Sequence, residues 1–299
     1  MIRRILALAL AVFAAAGLAA AEADVTTLAD RLHETGENER AIDMLNGALP
    51  SARDDETRAE ICWRLSRHIL GMADVLMEEG ADRDVLLALY EEGWNCADRA
   101  VRLDPDSHEG YYWKATNTGR RGQMKGALSA LSEAKIMRDL LETAVTIYPG
   151  YADAWHTLGV LYEQVPGFPI GFGDRTLAVS FGRKAIDAGA AEYSAGITRD
   201  IKYAYYIDLA RHLWARDWNE VKRSREQRKM ASAYRSAAGV MEKNSCYEGI
   251  VDLDDLSDRE EAKNILRWVI ANIGSLTNPG MVEKRQLGEA RDILDSWGG

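Results

Sequence analysis

Residues Tyr151–Gly189 constrain the chain most. Trp155, Leu158, Gly159 and Tyr162 stand at i, i+3, i+4 and i+7. That spacing puts all four on one helical face. Gly159 is the small member and lets a second helix approach closely, at some cost in helix propensity. The run Val165–Gly173 then stops the helix with two prolines and three glycines. Asp174 follows as a carboxylate able to cap a second helix. In that helix Ala178, Gly182 and Ala185 form a matching small-residue stripe. A large/small face followed by a small stripe predicts a helical hairpin. Nowhere do Val and Ile alternate with polar residues over a strand's length, so the whole chain reads as all-α.

The hairpin recurs, which makes the chain a tetratricopeptide-like superhelical array. Val25, Leu28, Ala29 and Leu32 repeat the first-helix pattern, Gly36 gives a turn, and Ala41, Leu45 and Ala48 form the return stripe before Pro50. A second unit has Cys62, Leu65, Ser66 and Ile69, then Gly93, Ala97 and Ala100, with a helical insertion expected over roughly 72–87. A third has Tyr111 and Ala115, a turn at Gly119–Gly122 and a long helix from about Gln123 to Tyr148. Pro105 to Pro149 and Ala115 to Gly159 share one 44-residue step. The fourth is the stretch described above. The fifth starts near Ile201, with Leu209-Ala210 as the large/small pair, a turn at Ala215–Trp218 and a basic helix carrying Lys222 to Lys229. Ser257 and Glu260 form a capping box, and two closing helices read as a C-terminal helical cap. The expected domains are a signal peptide at 1–21, the repeat domain at 22–250 and capping helices at 251–299.

Arg3-Arg4, the apolar run Ile5–Leu18 and Ala19-Ala20-Ala21 have the layout of an export leader cleaved near Ala21. That run is shorter than the roughly 20 residues a membrane span needs. The expected location is therefore periplasmic or secreted, with no membrane span. The formal net charge is −10, and losing Arg3 and Arg4 takes it to −12. An acidic balance argues against nucleic acid or anionic lipid and favours a basic or neutral partner. Three cysteines, Cys62, Cys96 and Cys246, are an odd number. Cys62 and Cys96 fall in the two helices of one hairpin, where either a disulfide or two free thiols fits.

Tyr151–Leu161, the Pro-Gly-Phe-Pro run at 166–169, Gly173-Asp174 and Ala178–Ile186 resemble the T component associated with TRAP transporters, a family of periplasmic tetratricopeptide-like proteins. The resemblance spans roughly Cys62 to Gln227. It implies a scaffold or ligand-carrier docking role. T components are often lipoproteins, and this chain has no Cys at the cleavage site. Trp113–Gly159 is more distantly similar to the tetratricopeptide-like regulators of microtubule dynamics.

Arrays of this kind bind on the face lined by the first helix of each hairpin. Register puts Trp63, Tyr112 and His156 at equivalent groove positions, one turn before Arg67, Thr116 and Val160. Such a groove suits a peptide or a small apolar ligand, and the competing reading packs these residues against the next repeat. Phe168 and Phe172 either line a pocket or anchor their loop. The five histidines are scattered and none pairs at i+3 or i+4, so no metal is expected. Asp252, Asp254 and Asp255 fail the calcium-loop pattern at Ser257 and Lys263 and read as a helix entry. No nucleophile elbow, zinc-protease, P-loop or dinucleotide motif is present. The expectation is a binding or scaffold protein without cofactor or catalysis, with a solute-binding protein as one candidate partner. A self-associating homo-oligomer of the cell envelope is the alternative.

Overall fold

The computed structural model describes residues 25–298; the signal peptide expected at 1–21 lies outside them. Among the described residues the regular secondary structure is all helical, apart from one isolated bridge between Gly167 and Gly173. It forms two compact units that divide between Leu140 and Leu141.

The first unit holds α1 (residues 25–35), α2 (Asn38–Ala48), α3 (Asp55–Glu78), α4 (Arg83–Leu103), α5 (His108–Lys125) and most of α6 (Ala127–Ile147). Local chemistry sets the starts. The Asp54 side chain accepts from Thr57 N at 2.7 Å, and that of Ser107 from Gly110 N at 3.2 Å. Two sequence expectations fail here for physical reasons. No separate insertion occupies 72–87, because α3 and α4 are simply long and meet at the Gly80 turn. Gly119 and Gly122 lie inside α5 and not in a turn. Added Cβ atoms there would stand 2.9 Å from Met137 Sδ and 2.9 Å from Glu133 Cβ, so these glycines bring α6 close. The turn is at Gly126, whose φ of 103° suits glycine.

The second unit holds the end of α6, then α7 (Ala152–Gln164), α8 (Arg175–Ser194), α9 (Tyr203–Arg216), α10 (Glu220–Ser236), α11 (Val240–Ser245), a 3-10 turn (Tyr247–Ile250), α12 (Asp258–Gly274) and α13 (Met281–Ser296). The expected caps are present. Asp174 accepts from Thr176 N and Leu177 N, and Ser257 and Glu260 close a reciprocal capping box. The expected glycine face is present too. A Cβ on Gly159 would meet Ala178 O at 3.2 Å and Gly182 N at 3.3 Å. The return helix of α9 is α12, however, not the basic α10. Leu209 and Leu213 share a core with Leu266, Val269 and Ile273, whereas α10 packs on the 3-10 turn. The C-terminal helices therefore continue the packing of the second unit, and the Trp214–Trp297 stack, 4.1 Å between ring centroids, holds the end of α13.

Five buried charges and the half-buried Glu261 tie the excursion α10–α11 to this frame. Arg183 Nε donates to Glu248 Oε1 at 3.0 Å and its Nη2 to Glu261 Oε2 at 2.8 Å. Arg216 Nε donates to Asp258 Oδ2 at 2.8 Å, its Nη2 to Glu248 Oε1 at 2.9 Å, and its Nη1 closely to Glu248 Oε2. Arg223 donates closely to Glu261 and, at 2.8 Å, to the Leu256 carbonyl. Three guanidinium groups balance three carboxylates, as charges removed from water require.

One polar position repeats. His68, Asn117 and His212 each lie two residues after the small member of a first helix (Ser66, Ala115, Ala210), and each is at most 1% exposed. Each enters a notch left by small residues of the preceding hairpin. His68 Nε2 lies 3.1 Å from the Ala29 carbonyl, and Asn117 Nδ2 donates to Ser66 Oγ at 3.0 Å. A Cβ on Gly159 or Gly182 would meet the His212 ring at 3.1 Å. Burial, with Arg67 second, pushes His68 down to about 4, and burial pushes His212 down to about 3. Both are neutral when folded and charge on unfolding below pH ~6.5. Their stabilisation is complete above that pH and is lost as pH falls toward 4 and then 3. We expect urea midpoints to drop between pH 6.5 and 4.5, with each histidine contributing up to about 1.4 kcal/mol per pH unit. His68→Asn should flatten that slope; an unchanged slope would show that other groups cause it.

Candidate interaction face

The first helices of the first unit, α1, α3 and α5, bring one group of side chains together. On α3, Glu60, Arg64 and Arg67 follow each other at i, i+4 and i+7. Arg64 grips Asp30 of α1 with two hydrogen bonds, Nε to Oδ1 at 3.0 Å and Nη2 to Oδ2 at 2.9 Å. Arg67 Nη2 adds a third at 2.7 Å, and Arg64 Nη1 also binds Glu60 Oε2 at 2.5 Å. Burial would raise the Asp30 carboxyl, but Arg64 and Arg67 hold it below the usual carboxylate range. Both guanidinium groups lie over the Trp63 ring, 4.0 and 5.2 Å from its centroid. The edge of the face is aromatic. Trp113 contacts Tyr112 at 5.0 Å and the exposed His33 at 6.4 Å between ring centroids.

Trp63 and Arg67 are not the open groove wall that the sequence suggests. They are 6% and 8% exposed. Trp63 packs with Ala59, Cys62, Ala100, Leu103 and Trp113, because α4 and α5 cover that side of α3. Tyr112 and Thr116 are half-buried, and the Thr116 hydroxyl donates to the Trp113 carbonyl at 3.0 Å. Cys62 and Cys96 are free thiols. Burial raises both, Cys96 to about 12, so neither is poised as a nucleophile.

In the second unit His156 and Val160 are half-buried on α7. His156 Nε2 lies 2.8 Å from Asp208 Oδ2 on α9, and its ring lies 4.7 Å from that of Tyr205. Asp208 also accepts from Arg211 at 2.7 Å, and Arg211 reaches Glu289 of α13 at 2.6 Å. Burial pushes the Asp208 carboxyl up, but His156 and Arg211 bring it to about 2. Phe172 folds back on Tyr162, 5.3 Å between centroids, whereas Phe168 is 94% exposed. Among the described residues no three His, Cys, Asp or Glu side chains are placed to hold a metal ion, and no helix is long and apolar enough to cross a membrane.

Asp30, His33, Arg64 and Trp113 escaped the sequence reading. The Glu60–Arg64–Arg67 stripe was visible in its i, i+4, i+7 spacing. The convergence on Asp30, 34 residues away from Arg64, was not.

The family described as Regulator of microtubule dynamics protein 1-3 matches residues 25–167, which include the whole of this face. Regulator of microtubule dynamics protein 1 of Bos taurus is 27% identical over 146 residues, covering 49% of this chain and 44% of that protein. The Mus musculus protein of that name is 24% identical over 137 residues, covering 46% and 42%. The chain spans less than half the length of these curated relatives. The crystal structure of MamA protein aligns with a TM-score of 0.32 at 19% identity, covering 65% of this chain and 84% of that one. The matching family and these curated relatives are regulators of microtubule dynamics, not TRAP T components.

Proposed function

We propose that this chain is an exported, non-enzymatic docking protein whose first unit binds a protein segment on the α1–α3–α5 face. One observation carries the reading: Arg64 and Arg67 fix the Asp30 carboxylate at a half-open aromatic edge made by His33, Tyr112 and Trp113. Arg64 and Arg67 already neutralise Asp30, so it is the aromatic rings beside it that suit a basic or aromatic side chain of an extended peptide. The net charge of −10 favours such a basic partner. The match to regulators of microtubule dynamics over 25–167 supports a scaffold role in general. The loop at 166–173 is what favours the narrower reading, docking of a solute-binding protein for a transport system. A small apolar ligand on the same face is narrower in another direction.

The test places a photo-crosslinking residue at Tyr112 or His33 in the native host, identifies the crosslinked protein and reconstitutes the complex from purified parts. His33→Ala with Tyr112→Ala should weaken that complex at least tenfold while the melting curve stays within a few degrees. Unchanged affinity would overturn the face; a crosslinked partner that is not a solute-binding protein would overturn the transport reading.

A further inference from the structure

We infer that the outer face of α10 docks an acidic segment of a partner protein. The helix carries six basic residues and two acidic ones, a net charge of +4, and leaves −14 on the rest of a chain whose total is −10. It is two-sided. Arg223 and Met230 are buried, and Arg223 belongs to the buried ion network. Lys222, Arg225, Arg228, Lys229 and Arg235 are all exposed. At about 100° per residue these five share one arc of roughly 140° on the opposite side. Glu226 answers only part of their charge, accepting from Arg225 Nε at 3.0 Å and Lys229 Nζ at 2.9 Å. Among the described residues no carboxylate pairs with Lys222, Arg228 or Arg235.

The sequence keeps this row against local preference. Like charges three and four residues apart destabilise a helix, and cations in a first turn oppose its dipole. Arg225 has like-charged neighbours at Lys222, Arg228 and Lys229, and Lys222 stands in the first turn. Support comes from outside the helix. α9 returns through α12, and α10 stands outside that core. Arg223 and Gln227 nevertheless tie it to the Leu256 and Val251 carbonyls, each at 2.8 Å. A charged row already held in place loses little conformational freedom when an oppositely charged chain docks on it.

The occupant follows from the layout of the charge. The row from Lys222 to Arg235 spans about 20 Å of helix, the length of roughly six residues of extended chain. Guanidinium forks take carboxylates through paired hydrogen bonds. A bilayer or a nucleic acid presents its anions broadly, and the loop bordering α10 exposes Asp252, Asp254 and Asp255. The acidic remainder of the chain opposes such a surface too. Val221 is the one large apolar side chain that α10 exposes, too little to enter lipid. A single acidic segment meets the row alone, because screening confines these interactions to about 8 Å at physiological salt.

Fluorescence anisotropy of the full chain with a labelled poly-glutamate peptide of about ten residues tests this. Binding should saturate, and should weaken severalfold as salt rises from about 0.01 to about 0.15 M. Arg228→Glu with Arg235→Glu should weaken it by about tenfold or more, with an unchanged melting curve because neither side chain holds a carboxylate. Arg267→Glu with Arg291→Glu, exposed on α12 and α13, changes the net charge equally and should alter affinity by less than about twofold. A wild type that shows no saturable binding would overturn the inference, as would equal losses in the two variant pairs. Tighter binding of phosphatidylglycerol vesicles or of duplex DNA than of the peptide would overturn the partner class. α10 lies outside the α1–α3–α5 face, so failure here leaves the docking proposed for that face standing.

Discussion

Glu248→Ala should cost the second unit about 3–5 kcal/mol, the usual penalty for leaving buried charge uncompensated. Glu248 is fully buried and takes bonds from Arg183 and Arg216, which are 6% and 7% exposed. Removing it strands two guanidinium groups with a shared partner gone. The loss should appear in urea titration followed by circular dichroism, as a lower midpoint for the second unit. Replacing Arg216 and Glu248 together by apolar residues of similar size should cost less, since Arg183 and Arg223 then still face two carboxylates, Glu261 and Asp258. A loss below about 1 kcal/mol for Glu248→Ala would mean that water reaches the network. The network also has a pH signature. Burial raises the Glu248 carboxyl but Arg183 and Arg216 bring it to about 2. Its contribution is therefore present above the unfolded carboxylate pKa and is lost as pH falls toward 2. This window overlaps the lower end of the one set by His68 and His212 and extends below it.

Trp155→Ala should remove a further 3–5 kcal/mol, by lost transfer energy and the cavity left behind. The indole is fully buried, lies 5.4 Å from the Phe181 ring and donates from Nε1 to the Pro149 carbonyl at 3.0 Å. It is the large residue facing the glycine approach of α7 and α8, so the neighbours cannot collapse into its space without closing the helices further. For a unit of this size the melting temperature should fall by roughly 10 °C. Trp268→Ala is the control. That ring is 38% exposed and rests on Tyr203 and Tyr206 from outside, so its removal should cost clearly less. Equal effects at both positions would mean that the α7–α8 hairpin is not the tight element described.

Trp155, Gly159, Gly182 and the caps at Asp174 and Ser257 were readable in the sequence because each depends on residues within one or two helical turns. Gly119 and Gly122 misled because a glycine that makes room for a neighbour looks the same in sequence as one that turns the chain. Only Gly126, with its positive φ, does the turning. Trp63 misled for a related reason. Helical spacing assigns a residue to a face of its helix but does not say how many neighbours cover that face, and α4 and α5 cover this one. The pairing of α9 with α12, and the charges that span Arg183 to Glu261, depend on contacts between residues far apart in the chain. They carry no periodic signal. The interaction face was half legible: Arg67, Tyr112 and Thr116 belong to the elements that build it, but its centre is Asp30 and its open edge is His33.

Native mass spectrometry of the protein purified gently from its own host tests the docking claim most directly, with wild type and the His33→Ala, Tyr112→Ala variant side by side. The account predicts a co-purifying partner protein on the wild type that survives desalting and is lost from the folded variant. A wild type that carries nothing, or a partner that stays equally bound to the variant, would contradict it.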